Sequence, residues 1–151
     1  MTDTPRDVLP TWPDELPPPE VAAEGMNASQ GVLGERMGIR FTYAAPERVA
    51  ASMPVEGNTQ PYGLLHGGAS GVLAESAGSV AAALGAGPGR FPVGIELNCT
   101  HHRSARDGFV HAVATPLSVG RTLATYQIAI VDDQDRPVCT ARLTCLLRDV
   151  G

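Results

Sequence analysis

Lysine is missing altogether: all 11 basic side chains among the 151 residues are arginine. A P-loop lysine, a Schiff-base lysine and a pyridoxal-phosphate anchor are therefore excluded. Cysteine is scarce and odd in number, with only Cys99, Cys139 and Cys145. That count excludes a disulfide framework. The opening residues MTDTPRDVLPTW lack the basic start and apolar run of a secretory signal. With reduced thiols, this predicts a cytoplasmic protein. His101, His102 and His111 lack the spacing of a zinc site, so no metal is expected.

Charge is also thin, at 18% of residues against 43% apolar, which is a globular composition. Residues 1–25 hold six acids against Arg6, which accounts for the whole formal charge of −5. Residues 26–151 balance at ten acids and ten arginines. No basic field is left to attract nucleic acid. The length suits one domain. Six of the 13 prolines also fall in residues 1–25, so this stretch reads as an extended, acidic arm and 26–151 as the folded domain.

Asn27 or Ser29 is placed to cap a short helix running toward Met37. Extended segments follow near 38–45 and 48–55, with Pro46 between them and a Glu56-Gly57-Asn58 turn behind. Residues 67–84, GGASGVLAESAGSVAAAL, form one small and apolar run that stops at Gly85-Ala86-Gly87-Pro88-Gly89. Four glycines, three serines and a central Glu75 suit a membrane poorly. A helix so apolar all round is expected to be wrapped by its own protein. Four strand-like segments come after it, near 91–103, 108–118, 121–132 and 136–147, with Asp132-Asp133-Gln134-Asp135 as a hairpin loop. The expected order is β-β-α-β-β-β-β, an α+β antiparallel sheet with one central helix. The glycine-rich stop vaguely suggests a dinucleotide loop, but it follows a helix and precedes a strand, the wrong order.

Glu75 is the only charge in the helix. Two readings are open. It lies on a thin solvent-exposed stripe, or it is a carboxylate held in a poorly hydrated site as base or nucleophile. At the helix start, His66-Gly67-Gly68 follows Gln60-Pro61-Tyr62-Gly63-Leu64-Leu65. Free N–H groups there make an electropositive site for an oxyanion, and the glycines let a substrate carbonyl approach. The same glycines also suit tight packing. Gly67 and Glu75 are eight residues apart, about 12 Å along a helix. One carbonyl cannot touch both, so joint action on one bond requires two chains. Val93, Ile95, Leu97, Cys99, His101 and Arg103 alternate along the next strand, either as a channel from acyl pocket to anionic head group or as a core face fraying into solvent. Arg103, Arg106 and Arg121 are candidate phosphate contacts, and Gly120-Arg121-Thr122 joins amides, a hydroxyl and a guanidinium. Cys99 reads as core rather than as a thiol nucleophile.

The segment QPYGLLHGGASGVLAESAGS, together with GIELNCTHHRSARDG and the final hairpin, resembles the hotdog-fold acyl-CoA thioesterases over roughly residues 30–148. It is most similar to the branch holding the 1,4-dihydroxy-2-naphthoyl-CoA thioesterases of menaquinone synthesis, the enterobactin-pathway proofreading enzymes, and the phenylacetate-pathway and 4-hydroxybenzoyl-CoA thioesterases. The resemblance implies a sheet wrapped around one long helix and hydrolysis of an acyl-CoA, with an aromatic acyl group expected. It implies an obligate dimer, with a tetramer suggested, and no cofactor beyond the coenzyme A of the substrate. Glu75 then matches the catalytic carboxylate and Gly67 the N–H that polarises the thioester carbonyl. Gln60 and His66 match residues that position thioester and water, and Ser79 a hydroxyl near that water. His101 matches a contact to the acyl group. Arg103, Gly120, Arg121 and Thr122 match contacts to coenzyme A, although the family pattern places Ser-Arg where this chain has Arg121-Thr122. An enoyl-CoA hydratase or dehydratase and a non-catalytic acyl-CoA-binding protein are the alternatives on the same fold.

Overall fold

The computed structural model describes residues 13–151. The part of the expected arm in residues 1–12 lies outside the described residues. Helices α1 (Pro19–Ser29) and α2 (Val32–Met37) lead into β1 (Arg40–Ala45), β2 (Arg48–Pro54), α3 (Gly67–Ala86), β3 (Arg90–His101), β4 (Phe109–Val119), β5 (Leu123–Asp132) and β6 (Pro137–Asp149). The six strands form one antiparallel sheet in the order β1-β2-β4-β5-β6-β3. This is the fold that the resemblance implies.

The extended reading of residues 19–25 is corrected. Pro19 sits in the first turn of α1, where its missing N–H costs nothing. Ala22 and Ala23 are buried as α1 packs on β1. The single helix expected up to Met37 is likewise two, broken at Gln30, whose backbone is extended. Asn27 and Ser29 do not cap it. Asn27 turns its amide to β1, donating to Phe41 O at 2.9 Å and accepting from Phe41 N at 2.7 Å. Gln30 donates to Ile39 O at 2.9 Å.

Alternation places Val49, Ala51 and Met53 of β2, Tyr126, Ile128 and Ile130 of β5, and Ala141, Leu143 and Cys145 of β6 on one buried face. Helix α3 lies across that face. Its small residues permit close contact: a Cβ on Gly78 would come within 2.7 Å of Leu143 Cδ2. Tyr126 donates its hydroxyl to Ala81 O at 3.1 Å. The helix is not wrapped all round, however. Val72, Glu75, Ser76, Ser79 and Val80 form a stripe that the chain leaves partly or fully open. Neither its first turn carries an acid nor its last turn a base.

β3 departs from simple alternation. Gly94 pairs with Cys145 and Glu96 with Thr144, so Ile95 is an extra residue. Such a bulge reverses the parity of what precedes it. Leu97, Cys99 and His101 pair with the inward-facing Leu143, Ala141 and Cys139, but Val93 pairs with Leu146 on the outer face. The expected single face from Val93 to Arg103 is corrected accordingly. Arg103 lies beyond the strand end.

Candidate active site

The start of α3 is built from its own cap. His66 precedes the helix in an extended conformation, and its Nδ1 accepts from the Gly68 amide at 2.8 Å. That bond fixes the neutral ring as the tautomer with hydrogen on Nε2. The amides of Ala69 and Ser70 reach His66 O at 2.9 and 3.3 Å. The Gly67 N–H finds no acceptor among the described residues. The preceding loop is held by Asn58, which donates to Met37 O and Pro54 O, and whose carbonyl accepts from His66 N. Gln60 Oε1 accepts from Tyr62 N, which leaves its Nε2 donors available.

A cavity of about 360 Å³ opens at this point, and Gln60, Gly67, His101 and Arg103 all line it. The four come from a loop, a helix start, a strand end and the following bend. The His101 ring lies against the backbone of Gly67, where a Cβ would come within 3.0 Å of Nε2. A Cβ at 67 would press on the imidazole, which would have to give by a few tenths of an ångström, so glycine suits this close contact. Ser70 also lines this cavity. Reading the sequence did not single it out, because a serine among alanines and glycines gives no periodic signal.

Glu75 is placed elsewhere. Its carboxylate is exposed and stands over the β3 edge, where a Cβ on Gly94 would come within 2.9 Å of Oε1. The lack of a side chain at Gly94 opens the notch it occupies. Of the two readings of Glu75, a single chain realises the exposed stripe. The poorly hydrated site is not formed among the described residues, where β3 is an edge strand of the sheet. Ser79, one turn further along, lines a second cavity of about 520 Å³. That cavity is mainly apolar, with Met26 and Leu33 of the N-terminal helices, Val72 and Val80 of α3, and Phe91 of β3 in its walls.

The Gly120-Arg121-Thr122 turn is at the other end of the sheet from Arg103. Leu147 N donates to Thr122 O at 2.7 Å, whereas Arg103 N donates to Val138 O at 3.4 Å. Nine residues of β6 separate those contacts, about 30 Å of strand. Arg90 fastens the turn by donating to Arg121 O while pairing with Asp149 at 3.0 Å. One chain therefore does not bring the two candidate coenzyme A contacts together.

The thiols are not nucleophiles. Burial pushes Cys139 up to about 12, aided by the neighbouring Cys99. Burial also raises Cys99. Cys145 is pushed up to about 11, first by burial and then by the negative charge of Glu75, although the Ser79 hydroxyl pulls the other way. All three are free and stay protonated at neutral pH. Among the described residues, no group of three His, Cys, Asp or Glu converges to hold a metal, and no helix is long and apolar enough to cross a membrane.

A sequence profile described as the thioesterase superfamily matches residues 62–139. The chain is 45% identical over 123 residues to a proofreading thioesterase, EntH, of Cronobacter turicensis, covering 80% of this chain and 90% of that protein. It is 44% identical over 127 residues to the 1,4-dihydroxy-2-naphthoyl-CoA hydrolase of Escherichia coli, covering 83% and 93%. Among solved structures, a thioesterase from Haemophilus influenzae superposes with a TM-score of 0.81 at 32% identity, covering 91% of this chain and 94% of that one.

Proposed function

The chain belongs to the thioesterase superfamily, and from that premise we propose that it hydrolyses aromatic acyl-CoA thioesters in a site shared by two protomers. The single observation that carries this reading is the division of candidate groups between two points of one open strand. Gly67 lies against His101 at one end of β3, and Glu75 lies over Gly94 toward the other. Antiparallel pairing of two β3 edges about an axis at Asn98, with the bulged Ile95 left out of the ladder, sets Gly94 of one chain opposite the partner's His101. Glu75 then faces the partner's Gly67, and the Gly120-Arg121-Thr122 turn approaches the partner's Arg103. The exposure of Ile95 (56%) and Val93 (41%) supports an apolar partner on this strand.

In this site the Gly67 N–H at the helix start polarises the thioester carbonyl, with Gln60 and His66 positioning the thioester and the water. Glu75 acts as nucleophile or as base for water. Attack forms the new C–O bond and places the carbonyl pair on oxygen, and collapse breaks the C–S bond and expels the coenzyme A thiolate. With Glu75 as base, the proton it takes from water passes to the thiolate; with Glu75 as nucleophile, water then hydrolyses the acyl-Glu75 anhydride, frees the acid and supplies the proton. His101 and the apolar cavity beside Ser79 receive the flat acyl group, while Arg103, Arg121 and Thr122 meet the phosphates. The coenzyme A arrives with the substrate, and no other cofactor is needed. The three free thiols agree with a cytoplasmic setting. The relatives' names favour hydrolysis over the hydratase and non-catalytic alternatives.

The test is thiol release from benzoyl-, phenylacetyl-, naphthoyl- and aliphatic CoA esters, with Glu75→Gln and Gln60→Ala prepared separately and mixed. Each variant alone loses activity. Reassociated mixtures regain roughly a quarter of the wild-type rate, because half the dimers are mixed and each holds one intact site. No recovery on mixing would place the whole site on one chain.

A further inference from the structure

We propose that the Ser70 hydroxyl is a second hydrogen-bond donor to the thioester carbonyl oxygen, beside the Gly67 N–H. The inference rests on the hydrolytic reading above and adds a residue to it. Ser70 is 1% exposed. Its hydroxyl makes no hydrogen bond to any group among the described residues, not even to the carbonyl one turn back, as Ser29 does in α1. Yet no buried polar side-chain atom in the described residues is sealed off without a partner. The Ser70 oxygen therefore opens onto space, and that space is the cavity that it shares with Gly67, Gln60 and His101. A hydroxyl held this deep without a protein partner is left for a ligand atom.

Its position fits the carbonyl. Ser70 is three residues beyond Gly67, so the two share a face of the helix about 4.5 Å apart along its axis. Helical side chains lean back toward the N-terminus, which brings Oγ closer to the Gly67 amide. An oxygen at ordinary hydrogen-bond distance from both donors, about 2.9 Å, spans that gap. The helix start itself supplies little more. The Gly68 amide is taken by His66 Nδ1, and those of Ala69 and Ser70 by His66 O. One amide is left, and Ser70 supplies the second donor. The hydroxyl proton is not transferred. It stays on Ser70 while charge builds on the carbonyl oxygen and disperses as the thiolate departs.

The experiment compares wild type with Ser70→Ala on benzoyl-, 2-hydroxybenzoyl- and butanoyl-CoA. The infrared carbonyl stretch of each bound ester is recorded in a Glu75→Gln background. The expected result is a fall in kcat of about 10²-fold on all three, with KM little changed. The carbonyl stretch moves to higher frequency, and the melting temperature does not fall, since a buried hydroxyl has been removed. An unchanged kcat and stretch would overturn the proposal. So would a loss confined to the hydroxylated ester, which would make Ser70 a reader of the acyl ring. A fall in kcat, KM and melting temperature with an unshifted stretch would make Ser70 structural and would also overturn it. If the wild type released no thiol at all, the hydrolytic reading would fail, and the carbonyl shift would still decide whether Ser70 bonds a bound thioester.

Discussion

The two edges of the sheet are treated in opposite ways. At β1, Asn27 takes both backbone polar groups of Phe41, and Gln30 takes the carbonyl of Ile39 just before the strand. Helix α1 lies along that strand as a cover. At β3, the longer edge strand, no such cover exists among the described residues, and Ile95 and Val93 are exposed. An open strand edge is a template for pairing. The contrast teaches which edge is closed within the chain and which is open, as the proposed pairing of two protomers requires. It also explains why Glu75, standing over β3, lacks the enclosure expected of a lone helical carboxylate.

The comparison breaks most sharply if a charge is set on each edge in turn. Ile95→Lys is expected to give a monomer by sedimentation and to lower thiol release by more than about 10²-fold, while circular dichroism stays native. Thr42→Lys, at an exposed position of the covered strand β1, is expected to change neither. Equal effects at both edges would remove the distinction. Next in size is Asn27→Ala, which strips the clamp from Phe41. A loss of about 1–3 kcal/mol is expected by urea unfolding, with concentration-dependent aggregation as the second edge opens. The smallest effect sharpens the contrast at the β5–β6 turn, which belongs to neither edge. Burial opposes ionisation of Asp132, but the Arg136 and Gln134 amides and the Arg136 guanidinium hold its carboxyl below the usual 3.8. Asp133 is held down chiefly by its bond to His111, then by the Phe109 amide. A depressed carboxyl stabilises the fold above its unfolded value, and the stabilisation is lost as pH falls through the folded one. Stability should therefore be level above about pH 4 and decline below it. Asp132→Asn should flatten that decline in urea midpoints measured against pH.

Much of this was legible in the chain. The run 67–84 and its glycine stop marked α3 within two residues, and the alternating segments marked each strand. These signals are local: a periodic pattern, a breaker, a turn of Asp132-Asp133-Gln134-Asp135. What escaped depends on contacts between distant elements. α1 owes its burial to Ala22 and Ala23 meeting β1, which outweighs a proline-rich entry that reads as extended. The Ile95 bulge is marked in the sequence only by the interrupting Gly94 beside it, which does not say that Val93 turns to the other face. The candidate site was legible in its parts. Gln60, Gly67, His101 and Arg103 do meet around one cavity, whereas Glu75 and the 120–122 turn do not join them within one chain. Ser70 was invisible because only its depth and lack of a partner distinguish it.

Helix α3 keeps both its ends free of compensating side-chain charge. Twenty aligned peptide dipoles therefore present about half a unit of positive charge at Gly67 with no acid in the helix's first turn to cancel it. Most helices trade that macrodipole for stability by placing an acid in the first turn. Here an acid at Gly68 or Ala69 would steady the fold while it competed with the developing anion, so sturdiness and turnover pull against each other at this terminus.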